Sequence, residues 1–311
     1  MDVSIIMVTY NSAKYIPPCF DSIKKYMKGL SYEMIVVDNC SADETVSLVL
    51  DHWPNVLLIE NKINVGFAAA NNQAAFIARG DFLFLLNADT QLLDDGILDA
   101  LRYAHDNGTA VLGPKTFGIE KVPLKTWKDD NSLYYHMLEI AAMALFLKRL
   151  FKSSQSAELD IEREVKFLTG SAMLISRKVY EQFGLFDERF FFMCEERDLC
   201  MRLTKSGLKL VYFPGWSIFH YVSYGNQNSP FHYVNWVKSS LKLARKHGGL
   251  AGYAFMIVTF GLYSVSYATT STIKQLLDFS DPGKSCVART SRNLLYWYLG
   301  FLSEKNLLEP Q

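Results

Sequence analysis

The chain has 311 residues, half of them apolar and 14% aromatic, which is enough to bury a sizeable core as one large or two ordinary domains. A charged fraction of 21% and five cysteines exclude a disordered, collagen-like or disulfide-framework protein. Its 32 basic residues balance 32 acidic ones, so no overall positive field supports nucleic-acid binding.

The opening Val3 to Thr9 is a β-branched apolar run with no basic region before it, so it reads as a first strand rather than a signal peptide. The N-terminal half is therefore expected to stay cytosolic. Further buried strands are predicted at Met34 to Asp38, Val56 to Glu60, Phe82 to Asn87 and Ala110 to Gly113. Helical patterns separate them at Pro17 to Lys28, Asp43 to His52, Ala68 to Arg79 and Asp94 to Asn107. Pro17 and Pro18 suit a first helical turn, and Gly29, Gly80 and Gly108 stand where C-caps belong. This alternation is the signature of βαβ units around a parallel sheet.

Residues 115 to 165 break the rhythm with a charged stretch and then an apolar helix, Leu133 to Lys152, that ends in basic residues. A strand at Lys166 to Ser176, a turn at Gly184 to Glu188, an aromatic run at Phe190 to Phe192 and a short helix at Glu195 to Lys205 follow. Gly248 to Ile273 carries no charge, and its apolar part, Leu250 to Ala268, is just long enough to cross a bilayer. Between Lys238 and Arg292 eight basic residues face only Asp278 and Asp281, a bias that anionic lipid attracts. An interfacial helix, a helix packed on the protein and a true span all fit that pattern. Trp297, between two tyrosines, suits an interface anchor or a core cluster.

The cysteines at 19, 40, 194, 200 and 286 form no C-x-x-C pair, so they read as thiols in a reducing compartment. The glycine-rich dinucleotide and triphosphate loops, H-E-x-x-H and G-x-S-x-G are all absent, which removes the main support for a dehydrogenase, a P-loop ATPase, a zinc protease or an α/β-hydrolase. Polar residues instead gather at strand ends: Thr9-Tyr10-Asn11, Asp38-Asn39 and Asn87-Ala88-Asp89-Thr90. In open α/β sheets ligands bind along that edge, although Asn and Asp also simply make turns. A strand-end carboxylate can accept the N–H of a pyrimidine base, and another can share a divalent cation with a diphosphate.

These motifs, together with Asn64-Val65-Gly66-Phe67-Ala68, Thr169-Gly170-Ser171-Ala172, Phe186-Asp187-Glu188-Arg189 and Glu195-Glu196-Arg197-Asp198, resemble the inverting family 2 glycosyltransferases of the GT-A fold. The resemblance is to the bacterial rhamnosyltransferase-like branch in particular, and it runs from Val3 to about Gly249. It implies an α/β, Rossmann-like fold with a mostly parallel sheet flanked by helices. Residues 1–249 would form the catalytic domain, with a nucleotide-sugar half at 1–114 and an acceptor half at 115–249. Residues 250–311 would form a helical, membrane-associated extension.

The resemblance also implies site roles. Asp38 would contact the nucleotide base, with Thr9, Tyr10 and Asn11 lining its pocket and Asn64, Gly66, Phe67 and Asn87 completing the nucleotide-sugar site. Asp89 would ligate Mg²⁺ or Mn²⁺, with His220 as a further ligand. Glu196 stands where the family commonly has the aspartate that serves as base, so either the acceptor sits further away or Glu195 or Asp198 shares the task. The same three carboxylates also suit a helix N-terminus without catalysis, and Arg202 reads as the i,i+4 partner of Asp198.

The expected activity is transfer of a sugar from a UDP- or dTDP-sugar, dTDP-rhamnose among them, to a glycan or polyprenyl-linked acceptor in cell-surface polysaccharide synthesis. The expected place is the cytoplasmic face of a membrane, peripheral or monotopic. A degenerate scaffold in a polysaccharide assembly complex and a nucleotidyltransferase are the alternatives.

Overall fold

A computed structural model describes residues 1–144, 159–221 and 230–277. They form two units: 1–131 with 159–221, and 132–144 with 230–277.

The first unit starts with the βαβ rhythm expected: β1 (Val3–Thr9), α1 (Ile16–Tyr26), β2 (Tyr32–Asp38), α2 (Thr45–His52), β3 (Leu57–Glu60), α3 (Phe67–Ile77), β4 (Phe82–Leu86), β5 (Thr90–Leu92), α4 (Ile97–Asn107) and β6 (Val111–Phe117). Short strands β7 (Pro123–Leu124) and β8 (Trp127–Lys128) follow. After α5 (Leu133–Ala144), which belongs to the second unit, come β9 (Arg163–Val165), β10 (Phe167–Leu168), β11 (Ala172–Ser176), α6 (Arg177–Phe183), α7 (Glu195–Lys205) and β12 (Leu210–His220). The helix expected over Leu133 to Lys152 is described as far as Ala144, and Trp297 lies outside the described residues.

The main sheet runs β3-β2-β1-β4-β11-β6-β12-β5. Strands β3, β2, β1 and β4 are parallel, and residue 3 of β1 stands beside residues 32 and 82. The second half adds antiparallel strands to a sheet most of whose strands run one way: β6 and β12 pair parallel and run with β4, whereas β11 is antiparallel to both β4 and β6, and β12 is antiparallel to β5 and β9. The fold is a mixed α/β sheet of Rossmann-like plan. The single strand expected at Lys166 to Ser176 is two, because Thr169-Gly170-Ser171 interrupts it.

Alternation along β1 assigns the two layers. Val3, Ile5 and Met7 pack with α1, α2 and α4 on one face, whereas Ile6 packs with α3, α6 and α7 on the other. Burial of such a side chain contributes about 1.5–3 kcal/mol, so these two layers dominate the fold's stability. Strand β12 tolerates Pro214 and Gly215 because its register shifts between Phe213 and Ser217, at a bulge where no ladder N–H is needed. Pro17 and Pro18 fill the first turn of α1, and Gly108 caps α4 in the left-handed conformation. Gly80 has another role than the cap expected: α3 ends at Ala78, and a Cβ on Gly80 would collide with the Ser4 backbone nitrogen.

In the second unit α8 (Pro230–Leu277) is broken at Gly249, where φ is 61° and ψ −151°, a region open essentially to glycine alone. In a straight helix Trp236 and Phe260 would stand about 36 Å apart. Their ring centroids are 5.1 Å apart, and a Cβ on Gly252 would lie 3.0 Å from the Ala244 carbonyl oxygen. The chain therefore doubles back, and 230–248 and 250–277 form an antiparallel helical hairpin. Val234, Val237, Ala244, Met256 and Phe260 make its core with Ile140 of α5. The boundary expected at 249 is the corner of this hairpin.

Candidate active site

The C-terminal ends of β1, β2 and β4 lie side by side, and their polar residues hold one another. Asp38, 3% exposed, accepts Thr9 Oγ1 (2.8 Å) and Ser41 Oγ (2.5 Å) on Oδ1 and the Ser41 N–H (2.8 Å) on Oδ2. Three charge-assisted bonds make it the anchor of the strand-end loop. Asn11, at φ 48°, donates its N–H to Ser41 Oγ and accepts the Ala42 N–H on Oδ1, which ties the first loop to the second. Tyr10 projects outward, 52% exposed, beside this anchored loop.

A second network starts at Asn39. Its Nδ2 donates to the Gly66 carbonyl (3.1 Å), and its Oδ1 accepts from Asn61 Nδ2 (3.0 Å) and the Val65 N–H (3.3 Å). Asn64 Oδ1 accepts the Gly66 N–H at 2.9 Å, a local Asx turn. Gly66 is required here: φ is +89°, ψ is 165°, and a Cβ would sit 2.5 Å from the Phe191 carbonyl oxygen. That carbonyl accepts the Phe67 N–H at 2.7 Å, so the aromatic run after α6 is fastened to the start of α3. Asn39 directly follows the strand-end aspartate, a position that could have been read as a loop clasp.

After β4 the chain turns through Asn87-Ala88-Asp89. The Asn87 N–H donates to the Ser171 carbonyl (3.0 Å) and its own carbonyl accepts Thr90 Oγ1 (2.6 Å). The Asp89 carbonyl accepts the Tyr221 N–H at 2.9 Å, which brings the end of β12 to the aspartate. As a result Asp89 Oδ1 lies 3.2 Å from His220 Nε2, with side chains 30% and 16% exposed.

This pair passes a test as part of a divalent-cation site. Two neighbouring ligands at right angles around Mg²⁺ stand about 3 Å apart, given metal–oxygen distances near 2.1 Å. Among the described residues no group of three or more His, Cys, Asp or Glu side chains could hold a metal alone. Two such donors would leave most of a cation's coordination to diphosphate and water oxygens.

On the other side of Thr169-Gly170-Ser171 stands the N-terminus of α7. A Cβ on Gly170 would lie 3.5 Å from Glu196 Cβ, so this interruption between β10 and β11 packs against Glu196 and also holds Asn87. Glu195 is 5% exposed, and the Oε2 atoms of Glu195 and Glu196 are both buried without a hydrogen-bond partner. Burial pushes both carboxyls above the usual carboxylate range, and the negative charge of Glu196 pushes Glu195 further. Asp198 is fully buried and receives Arg202 Nε at 2.9 Å, while the same guanidinium donates to the carbonyls of Phe183 and Leu185. Asp198 thus ties α7 to the turn after α6, separately from the glutamate pair.

The first unit therefore places Asn87 and Glu196 on either side of Thr169-Gly170-Ser171, with the aspartate of the aspartate–histidine pair two residues beyond Asn87. The family model described as Glycosyl transferase family 2 matches residues 4–184. Among curated proteins, N-acetylglucosaminyl-diphospho-decaprenol L-rhamnosyltransferase of Mycobacterium tuberculosis is 26% identical over 79% of this chain and 85% of its own length. Rhamnosyltransferase WbbL of Escherichia coli is 25% identical over 78% of this chain and 93% of its own. Among solved structures, the mannosyltransferase PcManGT of Pyrobaculum calidifontis has a TM-score of 0.55 at 17% identity, covering 98% of this chain and 84% of that one. S. aureus TarS 1–349 in complex with UDP has a TM-score of 0.54 at 16% identity, over 96% and 92%.

Proposed function

The chain belongs to glycosyl transferase family 2 and is a glycosyltransferase, and on that premise we infer that it moves a sugar from a UDP- or dTDP-sugar to a glycan or polyprenyl-linked acceptor with inversion at the anomeric carbon. The observation that carries this reading is the shared position of Asn87 and Glu196 on either side of Thr169-Gly170-Ser171. Donor and base are then neighbours, as direct displacement needs.

The acceptor hydroxyl oxygen forms the new bond to the anomeric carbon as the bond from that carbon to the phosphate oxygen breaks. Glu196 takes the hydroxyl proton, and the nucleoside diphosphate leaves. Its raised affinity for a proton suits a general base near neutral pH. Burial strengthens the hold of Glu195 on its proton, which disfavours a second negative charge beside the attacking oxygen.

Asp89 and His220 would hold a Mg²⁺ or Mn²⁺ ion. When bound, such an ion neutralises charge that develops on the leaving diphosphate. Asp38, Thr9, Tyr10 and Asn11 shape the base pocket, in which Asp38 acts through the loop it anchors. Asn64, Gly66 and Phe67 would line the remainder of the donor site. Rhamnose as the sugar moved is supported by the names of both relatives above, and a polyprenyl-diphosphate acceptor by that of the Mycobacterium tuberculosis relative; dTDP-rhamnose is the donor we propose. The reaction would then run at the cytoplasmic face of a membrane.

The test is nucleoside diphosphate release by purified protein given Mn²⁺, each nucleotide sugar and a lipid extract. Turnover of one pyrimidine donor, lost in Glu196→Gln, is expected. If no nucleotide sugar is consumed and Asp89→Ala alters no ligand binding, the reading fails in favour of a scaffold. Release of pyrophosphate from a nucleoside triphosphate would show nucleotidyl transfer instead.

A further inference from the structure

The second unit has an unusual distribution of polarity. After the break at Gly249, the exposed large residues are Leu250, Phe255, Val258, Leu262 and Val265, at 70, 45, 61, 58 and 46%. At 100° per residue they fall on an arc of about 140°, and Ala251 and Ala254 fill the gaps. From Leu250 to Val265 the outward face is apolar. Between Leu250 and Val265 the serine and threonine hydroxyls of Thr259 and Ser264 are turned inward, at 5% and 1% exposed. A helix of a water-soluble protein does the reverse, and a helix whose outer solvent is hydrocarbon does this.

By length and composition the stretch Val234–Val265 is apolar enough to cross a membrane. The hairpin decides against crossing. Contacts of Trp236 with Phe260 and of Ala244 with Gly252 fix the pairing, so Lys242 lies level with Ala254 and Arg245 level with Ala251. Sinking 250–265 through a bilayer would carry Lys238, Lys242, Arg245 and Lys246 into the hydrocarbon beside it. With the hairpin flat, the apolar face enters one leaflet and the basic first half lies at headgroup depth. Lys242 and Arg245 are both exposed.

The geometry points to a monotopic anchor: the face of Leu250, Phe255, Val258 and Leu262 lies in the acyl region of one leaflet, and Lys242 and Arg245 meet the phosphates of anionic lipid. This deepens the membrane clause of the proposed function and stands apart from its chemistry, since its test reads lipid binding without turnover.

Full-length protein is floated with vesicles of phosphatidylcholine alone and of phosphatidylcholine mixed with phosphatidylglycerol. Wild type is expected on the mixed vesicles. Val258→Asp with Leu262→Asp, both on exposed positions that leave the core intact, should stay folded by circular dichroism and lose flotation by about tenfold or more. Lys242→Glu with Arg245→Glu should lose about as much on mixed vesicles and little on neutral ones. A fluorescent amino acid at Leu250 or at Leu262, on opposite sides of the arc's centre, should show about equal depth by bromolipid quenching, whereas a span separates them by about 18 Å. Three results overturn the proposal: unequal depths, undiminished flotation of the aspartate variant, or a dimer in solution that this variant splits while flotation is unchanged. The last would assign the face to a second copy of the chain.

Discussion

Asp89 and His220 meet at the end of the β5–β12 pair, with Oδ1 and Nε2 3.2 Å apart. The contact exists because the Tyr221 N–H is bonded to the Asp89 carbonyl, which aligns the last residue of one strand with the turn before the other. If the pair holds a cation with the diphosphate, UDP or dTDP plus Mn²⁺ at about 100 times the dissociation constant should stabilise the fold by about 2.7 kcal/mol. Asp89→Ala should abolish the metal-dependent part of that thermal shift. His220→Ala should retain it but need about tenfold more Mn²⁺ or beyond. An unchanged Mn²⁺ titration in both variants would remove the metal assignment.

Glu196 should be needed for chemistry and not for donor binding. Glu196→Gln is expected to lower kcat about 10²- to 10⁴-fold while the nucleotide-induced thermal shift stays. Glu196→Asp withdraws the carboxylate by one methylene and should cost about 10²-fold. Equal loss of binding and turnover would place Glu196 in donor recognition.

Asp198 should behave as a structural residue. Arg202→Met leaves its fully buried carboxylate without the guanidinium and opens the carbonyls of Phe183 and Leu185, so a loss of about 3–5 kcal/mol is expected in denaturant unfolding. The fraction that remains folded should keep its kcat. A large kcat effect at unchanged stability would return Asp198 to the catalytic group.

Some of this was legible in the residues and some was not. Val3–Thr9 and Glu195–Lys205 carry their own boundaries: an uninterrupted apolar run in the first, an acidic first turn and a basic last turn in the second. Strand β12 was hidden because Pro214-Gly215 reads as a turn, and only a bulge that frees the proline from the ladder lets the strand continue. The orientation of β11 was invisible too, since local pattern says nothing about which neighbour a strand pairs with. Gly80 was misread because a glycine after a helix fits a cap equally well, and the nearby β1 backbone is 76 positions away in sequence. Gly248-Gly249 was the available signal for the hairpin corner, since adjacent glycines interrupt a helix and the uncharged run begins there.

Gly66 should tolerate no side chain. Its ψ of 165° with positive φ lies in a region that only glycine enters readily, and the Phe191 carbonyl occupies the Cβ position. Gly66→Ala should cost about 1–3 kcal/mol from backbone strain alone, and more from the collision. Because Asn39 is bonded to the Gly66 carbonyl, nucleotide affinity should fall along with the melting temperature. A variant as stable as wild type would mean that the loop relaxes without strain.

The glutamate pair predicts opposite pH behaviour for activity and stability. Glu196 works as the carboxylate, so turnover should rise with pH, with a midpoint above the ordinary 4.5 because burial holds its proton. For Glu195 the folded state favours the protonated form through burial first and the Glu196 charge second. A carboxyl raised in the fold contributes stability that is complete below its unfolded value of about 4.5 and is lost as pH rises through the folded one. Glu195→Gln keeps the size of the side chain but cannot ionise. It should therefore leave the acid limb of the rate profile in place while making the protein relatively more stable than wild type as pH increases. Melting curves of both proteins from acid to alkaline pH check this, and a stability difference that does not change with pH would mean Glu195 is already ionised in the folded protein.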